Sequence, residues 1–216
     1  TLASTAVLDA RGSALQVDSY GAPIEATNRA TVELTSAGGT LRLESGATID
    51  LASPDKVSRG RIQLNAARVG INDVAIDARG ALTIRGANSL SVNASPIYQP
   101  SAGTNDQTAL DAIHLDSDAF IDAAIGNGAL LDRMAGLRTH GDAVHLRPGG
   151  ELTCGPGGSL GVSGDLNMAG YRYASLNPAL ARAADYADPL GGGYGSGEAG
   201  VLLIRAADDL DIHGSI

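Results

Sequence analysis

Two groups of aspartates are the first residues in this 216-residue chain whose type and spacing suit catalysis: Asp111, Asp116, Asp118 and Asp122, and, near the end, Asp208, Asp209 and Asp211. Paired carboxylates are what glycosidic-bond cleavage requires, one to protonate the leaving oxygen and one to attack the sugar or activate a water. The same residues have a plainer use. Acids suit the first turns of helices and solvated faces, and Asp208-Asp209 reads as the turn before Leu210. The run Gly195-Ser-Gly197-Glu-Ala-Gly200 matches the glycine spacing of a dinucleotide loop. That site needs the run to follow a strand and open a helix, so that helix amides meet a pyrophosphate. Here it follows a glycine-rich loop and opens the apolar strand VLLIR, so it reads as a flexible turn.

His114, His140, His145 and His213 are scattered with no two at i, i+4 spacing, and the single Cys154 has neither a disulfide partner nor companions at metal-ligand spacing. Cys154 is expected to face inward as a small hydrophobe. No metal and no cofactor is expected, and the chain is read as a non-enzyme. Tyrosines are a different matter. Four of the six, Tyr171, Tyr173, Tyr186 and Tyr194, fall in an irregular, glycine-rich segment, 169–200. A tyrosine offers a large ring and a hydroxyl at little rotamer cost, and glycines let the backbone adapt. Tyr186 and Tyr194, flanked by Ala-Asp and by Gly, are the candidate ligand-binding residues. Tyr171 and Tyr173 have the competing use of packing the loop down.

The elements that must carry these residues are legible from 60–94, where Ile62 and Leu64, Val69 and Ile71, Val74 and Ile76, Leu82 and Ile84, and Leu90 and Val92 alternate with small or polar residues. Each pair describes a very short strand with one buried face, and Gly, Asn and Asp turn the chain between pairs. The spacing leaves no room for crossover helices. Short strands stacking coil on coil, a parallel β-helix, satisfy the pattern. The same units appear as Val32 and Leu34, Leu41 and Leu43, and Ile49 and Leu51, and return as Val144 and Leu146, Leu152, Leu160 and Val162, Leu166 and Met168, Val201 and Leu203, and Leu210 and Ile212. Pro148-Gly149-Gly150 is expected to turn between two of them. Val7, Leu15 and Val17 are weaker inward candidates, with Pro23 interrupting any central strand.

Between them, 99–139 changes period: Leu110, Ile113, Ser117, Phe120, Ile121, Ala124 and Ile125 approximate helical spacing. Two or three short helices are expected, with Asn105 or Asp106 capping the first, Ser117 or Asp118 a second, and Asn127-Gly128 and Gly136 as left-handed stops. The insertion is expected to be an accessory to one solenoid segment spanning 1–216.

Composition fits a narrow interior. Aromatics are only 3% of the chain, with one Phe and no Trp, so the core is filled by Val, Ile, Leu and Ala. A net charge of −9 with Lys56 as the only lysine gives no basic stripe for nucleic acid. No apolar run is long enough for membrane insertion, and the first twenty residues do not read as a signal peptide. The chain lacks an initiating Met and stops just after Leu210 and Ile212, and so reads as a piece of something longer.

The segments ALDAIHLDSDAFIDAAI, AVHLRPGGELTC, SGDLNMAGYRY and GVLLIRAADDLDIHGSI together resemble a distal domain of undefined function in filamentous-haemagglutinin-family exoproteins, large adhesins of Gram-negative bacteria. The resemblance covers nearly the whole chain and is most specific at 142–149 and 200–214. It implies an all-β, right-handed parallel β-helix with a short α-helical insertion, belonging to a secreted or cell-surface protein. It also implies an outer-membrane two-partner secretion transporter as partner of the parent protein, and attachment to a host glycan or surface protein as its activity. The alternative is a carbohydrate-active β-helix enzyme or a carbohydrate-binding module.

Overall fold

The computed structural model describes residues 1–12, 15–26, 29–99, 104–155, 157–181 and 196–216. Strand outweighs helix, 38% to 19%, so the fold is mostly β. The chain forms two compact units: Thr1–Ala67, Val74–Val92 and Gly128–His145 make one, and Arg68–Asp73, Asn93–Asn127 and Leu146–Ile216 the other.

The first unit holds strands β1 (Val7–Asp9), β2 (Leu15–Val17), β3 (Pro23–Ala26), β4 (Thr31–Ser36), β5 (Leu41–Arg42), β6 (Thr48–Asp50), β9 (Ile76–Asp77) and β10 (Thr83–Arg85), with the larger part of β7 (Gly60–Val69), Val74 of β8 (Asp73–Val74) and the larger part of β11 (Ala87–Ser95). Pairing is parallel and in register: Val32 on Ile62 and Leu34 on Leu64, Leu41 on Ile76, and Leu8 on Ile49, which in turn lies beside Ile84. Like therefore stacks on like, and Leu43, Ile49, Leu51, Ile62, Leu64, Val74, Ile76, Leu90 and Val92 are buried as alternation requires. β2 and β3 form an antiparallel pair in which Pro23 takes the first position of β3, where its missing N–H is tolerated.

Four expectations of inward side chains fail here, Val17 among them at 51% exposure. Val7 is 63% exposed while Leu8 sits on Ile49, and Val69 and Ile71 are exposed. In β7 the buried positions are Ile62, Leu64 and Ala66, so Val69 has the opposite parity, and Gly70, at φ +60°, turns the chain before Ile71. A side-chain period of two makes a one-residue slip a complete inversion.

The second unit carries β12 (Ile97–Tyr98), β13 (Thr104–Asn105), β14 (Val144–Thr153) from Leu146 onward, β15 (Leu160–Ser163), β16 (Val201–Arg205) and β17 (Leu210–His213). Here too pairing is parallel: Tyr98 on Leu152, Leu152 on Ile204, Leu160 on Leu210, and Val162 on Ile212. The expected turn at Pro148-Gly149-Gly150 is instead strand, within β14. At Gly149 a Cβ would meet the Ser95 Oγ at 2.5 Å, so the glycine answers a close approach rather than a turn. In β16 the half-buried residues are Leu202 and Ile204, opposite Gly150 and Leu152, and the expected Val201 and Leu203 are exposed. Leu210 and Ile212 lie on buried Leu160 and Val162 but are themselves exposed, β17 being the edge of its sheet.

The insertion forms three helices, and the first is long: α1 (Gln107–Ile125), α2 (Gly128–Arg133) and α3 (Ala135–Arg138). Asp106 caps α1, its carboxylate accepting from the Ala109 amide at 3.0 Å. Ser117 caps nothing. It lies on the buried stripe Leu110, His114, Ser117, Phe120, Ile121 and Ala124, whose three- and four-residue spacing carries α1 through without a break. The helices α2 and α3 belong to the first unit, where the Ala78 amide donates to the Arg133 carbonyl (2.7 Å) and the Gly136 amide to the Ala78 carbonyl (2.8 Å).

Gly136 is not a left-handed stop, because it lies inside α3 without a positive φ. A Cβ there would run into the carbonyl oxygens of Gly80 and Ala78. Gly136→Ala is therefore expected to destabilise the chain by about 2 kcal/mol or more, since two backbone oxygens must move, although alanine favours the helix itself. Gly128→Ala, with open space around the added methyl, is expected to be neutral or mildly stabilising. Denaturant titration of both variants checks the pair.

Candidate functional site

A cleft of about 260 Å³ in the second unit is walled by Leu110, Ile113 and Ser117 of α1, Pro148, Gly149 and Gly150 of β14, and Val201 and Leu202 of β16, with Met168, Tyr171, Arg172, Tyr173, Ala199 and Gly200 completing it. These residues come from four separated stretches of sequence. What brings the last group into place is a clamp on the irregular segment. Tyr173 and Glu198 form an antiparallel bridge, each amide donating to the other's carbonyl at 3.0 and 2.8 Å. The Glu198 side chain is 2% exposed, and its carboxylate accepts from Arg147 Nε (3.0 Å) and from Ser175 Oγ (2.9 Å). The glycine-spaced run is thus not a loose turn where it is described. Gly197, at φ +70°, donates its amide to the Leu180 carbonyl (2.7 Å), and a Cβ at Gly200 would meet the Tyr173 ring at 2.9 Å. The run opens β16, not a helix, as its sequence context implied.

Behind the cleft lies an aromatic and polar cluster. His114, 1% exposed, stacks on Tyr171 with ring centroids 4.1 Å apart and meets the edge of Tyr173 at 5.0 Å. The Tyr171 hydroxyl donates to Asp111 Oδ1 (2.5 Å) and accepts from Gln107 Nε2 (2.9 Å). Gln107 in turn accepts from the Asn167 amide (2.7 Å), tying α1 to the segment. Burial, and then the Asp111 carboxylate, push the Tyr171 phenol above its ordinary range. It stays protonated at neutral pH and serves as a donor to Asp111, not as a nucleophile.

Asp116 is committed as well. Asp116 Oδ2 accepts from Arg68 Nη1 and from the Tyr98 hydroxyl, both at 2.6 Å, and the Arg68 guanidinium lies 4.0 Å over the Phe120 ring. Burial opposes ionisation of Asp116, but the hydrogen bonds from Arg68 and Tyr98 outweigh it and hold its carboxyl below the usual range. Burial, and then Asp116, push the Tyr98 phenol up to about 12. Asp111 and Asp116 therefore each face a tyrosine. Asp208, Asp209 and Asp211 are exposed, with the Asp209 carbonyl accepting from the Leu160 amide. Among the described residues no three His, Cys, Asp or Glu side chains gather as a metal site.

Tyr186 and Tyr194 lie outside the described residues. Tyr171 and Tyr173 are 9% and 5% exposed, so the packing use assigned to them as the alternative is what the fold makes of them. Cys154 is half-buried, its thiol donating to the Gly158 carbonyl at 2.6 Å. Sequence reading missed Glu198, whose only local signal was an acid between glycines, and Arg172, which gave none.

Comparison with family models, with curated proteins and with solved structures finds no match to this chain.

Proposed function

We propose that the chain is a segment of a right-handed parallel β-helix, serving as a structural and binding part of a large secreted adhesin of the filamentous-haemagglutinin type. The observation that carries this reading is the parallel, in-register return of short strands: Leu41 on Ile76 and Ile49 beside Ile84 in one unit, Leu160 on Leu210 and Leu152 on Ile204 in the other. Strands that pair in parallel with a later part of the chain, like residue on like, are what stacked coils require. A single cysteine suits a chain that crosses an outer-membrane transporter unfolded, since no disulfide can close a loop in it. The parent protein is then found at the surface of a Gram-negative bacterium, attached to a host glycan or surface protein.

Tyr186 and Tyr194 are the residues proposed to touch that partner. The test is a binding screen of the purified chain against immobilised glycans and matrix proteins. Saturable binding is expected, weakened about tenfold by Tyr186→Ala with Tyr194→Ala while the melting temperature stays within a degree or two. Release of reducing ends from acidic or neutral polysaccharides by the same preparation would overturn the non-enzymatic reading.

A further inference from the structure

Among the described residues, the cleft of the second unit has apolar walls and one cation. Leu110, Ile113, Met168, Pro148, Val201 and Leu202 supply hydrocarbon, and Arg172 is the only charged side chain among the described lining residues. Its Nη1 donates to the Tyr171 carbonyl at 2.8 Å, which anchors the guanidinium. Among the described residues no carboxylate pairs with it. A guanidinium has five N–H donors in a planar fork, so donors remain for a ligand. The nearby acids are spent elsewhere: Asp111 takes the Tyr171 hydroxyl and Gln107, and Glu198 takes Arg147 and Ser175. Neither forms part of the cleft wall.

A sugar suits this lining poorly. It brings a hydroxyl on nearly every carbon, each costly to bury without a partner, and apart from Arg172 the lining side chains with polar groups are Ser117, Tyr171 and Tyr173, of which the Tyr171 hydroxyl is already engaged. The rings of Tyr171 and Tyr173 are themselves almost fully buried, so they offer little face for a sugar to stack on. An apolar body with a single negative end meets the walls on their own terms, because hydrocarbon burial supplies the affinity and an Arg–carboxylate pair the orientation.

We propose that this cleft binds an amphiphilic anion, an alkyl carboxylate whose chain lies against the apolar walls and whose carboxylate pairs with Arg172. This goes beyond the adhesin reading and does not depend on it, since it concerns a pocket within one unit.

The two methionines of the sequence make the test specific. Met168 lines the cleft, whereas Met134 is fully buried in the first unit. With methionine methyls labelled with carbon-13, decanoate below its micelle concentration is expected to shift the Met168 resonance and leave Met134 in place. Affinity should rise roughly two- to fourfold per methylene from hexanoate to decanoate. Arg172→Gln should weaken decanoate about tenfold or more and leave 1-decanol unchanged, and Arg172→Lys should retain most of the affinity for decanoate. A retained 1-decanol shift of the Met168 resonance in each variant reports that the cleft persists. The proposal is overturned if decanoate leaves Met168 unshifted, if decyltrimethylammonium binds as well as decanoate, or if Arg172→Gln binds decanoate like the parent chain.

Discussion

Ile76→Asp should cost the first unit about 4 kcal/mol or more at neutral pH, against about 1 kcal/mol or less for Asp77→Ala next to it. Ile76 is fully buried in register with Leu41, and its carbonyl accepts from Arg133 Nε at 3.1 Å, so the site holds strand and helix together. The substitution loses the transfer energy of a large aliphatic side chain and places a carboxylate in hydrocarbon with nothing to pair it. Asp77 instead points outward to Arg79 Nη2 at 2.8 Å, a hydrogen bond that holds its carboxyl below the usual range. Arg79 is largely exposed, and such pairs contribute little.

The two variants should also differ in acid. The introduced carboxyl at position 76 has its folded pKa raised, so the folded state binds the extra proton and the penalty shrinks as pH falls. Asp77 has a depressed folded pKa, so its contribution is present above the unfolded value and lost as pH falls through the folded one. Thermal melts at pH 4 and pH 7 check both, and equal shifts for the two variants would invert the inferred register of β9.

Glu198→Ala is expected to cost about 3 to 5 kcal/mol, more than any other single charge removal in the second unit. Arg147 is 25% exposed at its side chain and Glu198 2%, so deleting the acid strands a guanidinium that is mostly out of water. Ser175 loses its acceptor at the same time. Because Glu198 and Tyr173 also exchange backbone hydrogen bonds, the damage should spread to the Tyr173 wall of the cleft. The decisive comparison is Glu198→Leu combined with Arg147→Met. Replacing both partners by hydrocarbon removes the stranded charge, and the double variant should recover most of the lost stability. Additive losses in a denaturant-based double-mutant cycle would mean that the pair does not couple as its geometry requires.

Short-range alternation in the sequence was enough to identify many of the strands and most of the core. Ile62 and Leu64, Val74 and Ile76, Leu90 and Val92, and Leu160 and Val162 are buried because a strand's side chains alternate by geometry, whatever it packs against. The helical period of α1 and its Asp106 cap were legible for the same reason, since both are properties of contiguous residues. Parity was not local. Val201 and Leu203 alternate as well on paper as Leu202 and Ile204, and only the register of β16 on β14, Leu202 opposite Gly150 and Ile204 opposite Leu152, decides which pair turns in. Glycines were ambiguous in the same way: Gly136 and Gly149 read as turns, yet Gly136 lies against the backbone oxygens of Ala78 and Gly80 and Gly149 lies in a strand facing the Ser95 hydroxyl. The cleft was hidden altogether. Its walls come from 110–117, 148–150, 168–173 and 199–202, and its shape depends on a partly buried Arg147–Glu198 pair between residues 51 apart in sequence. A sequence specifies which residues seek burial, but the partner each finds at long range is set by the packed chain as a whole, and that is where the cleft and its placement of Arg172 arise.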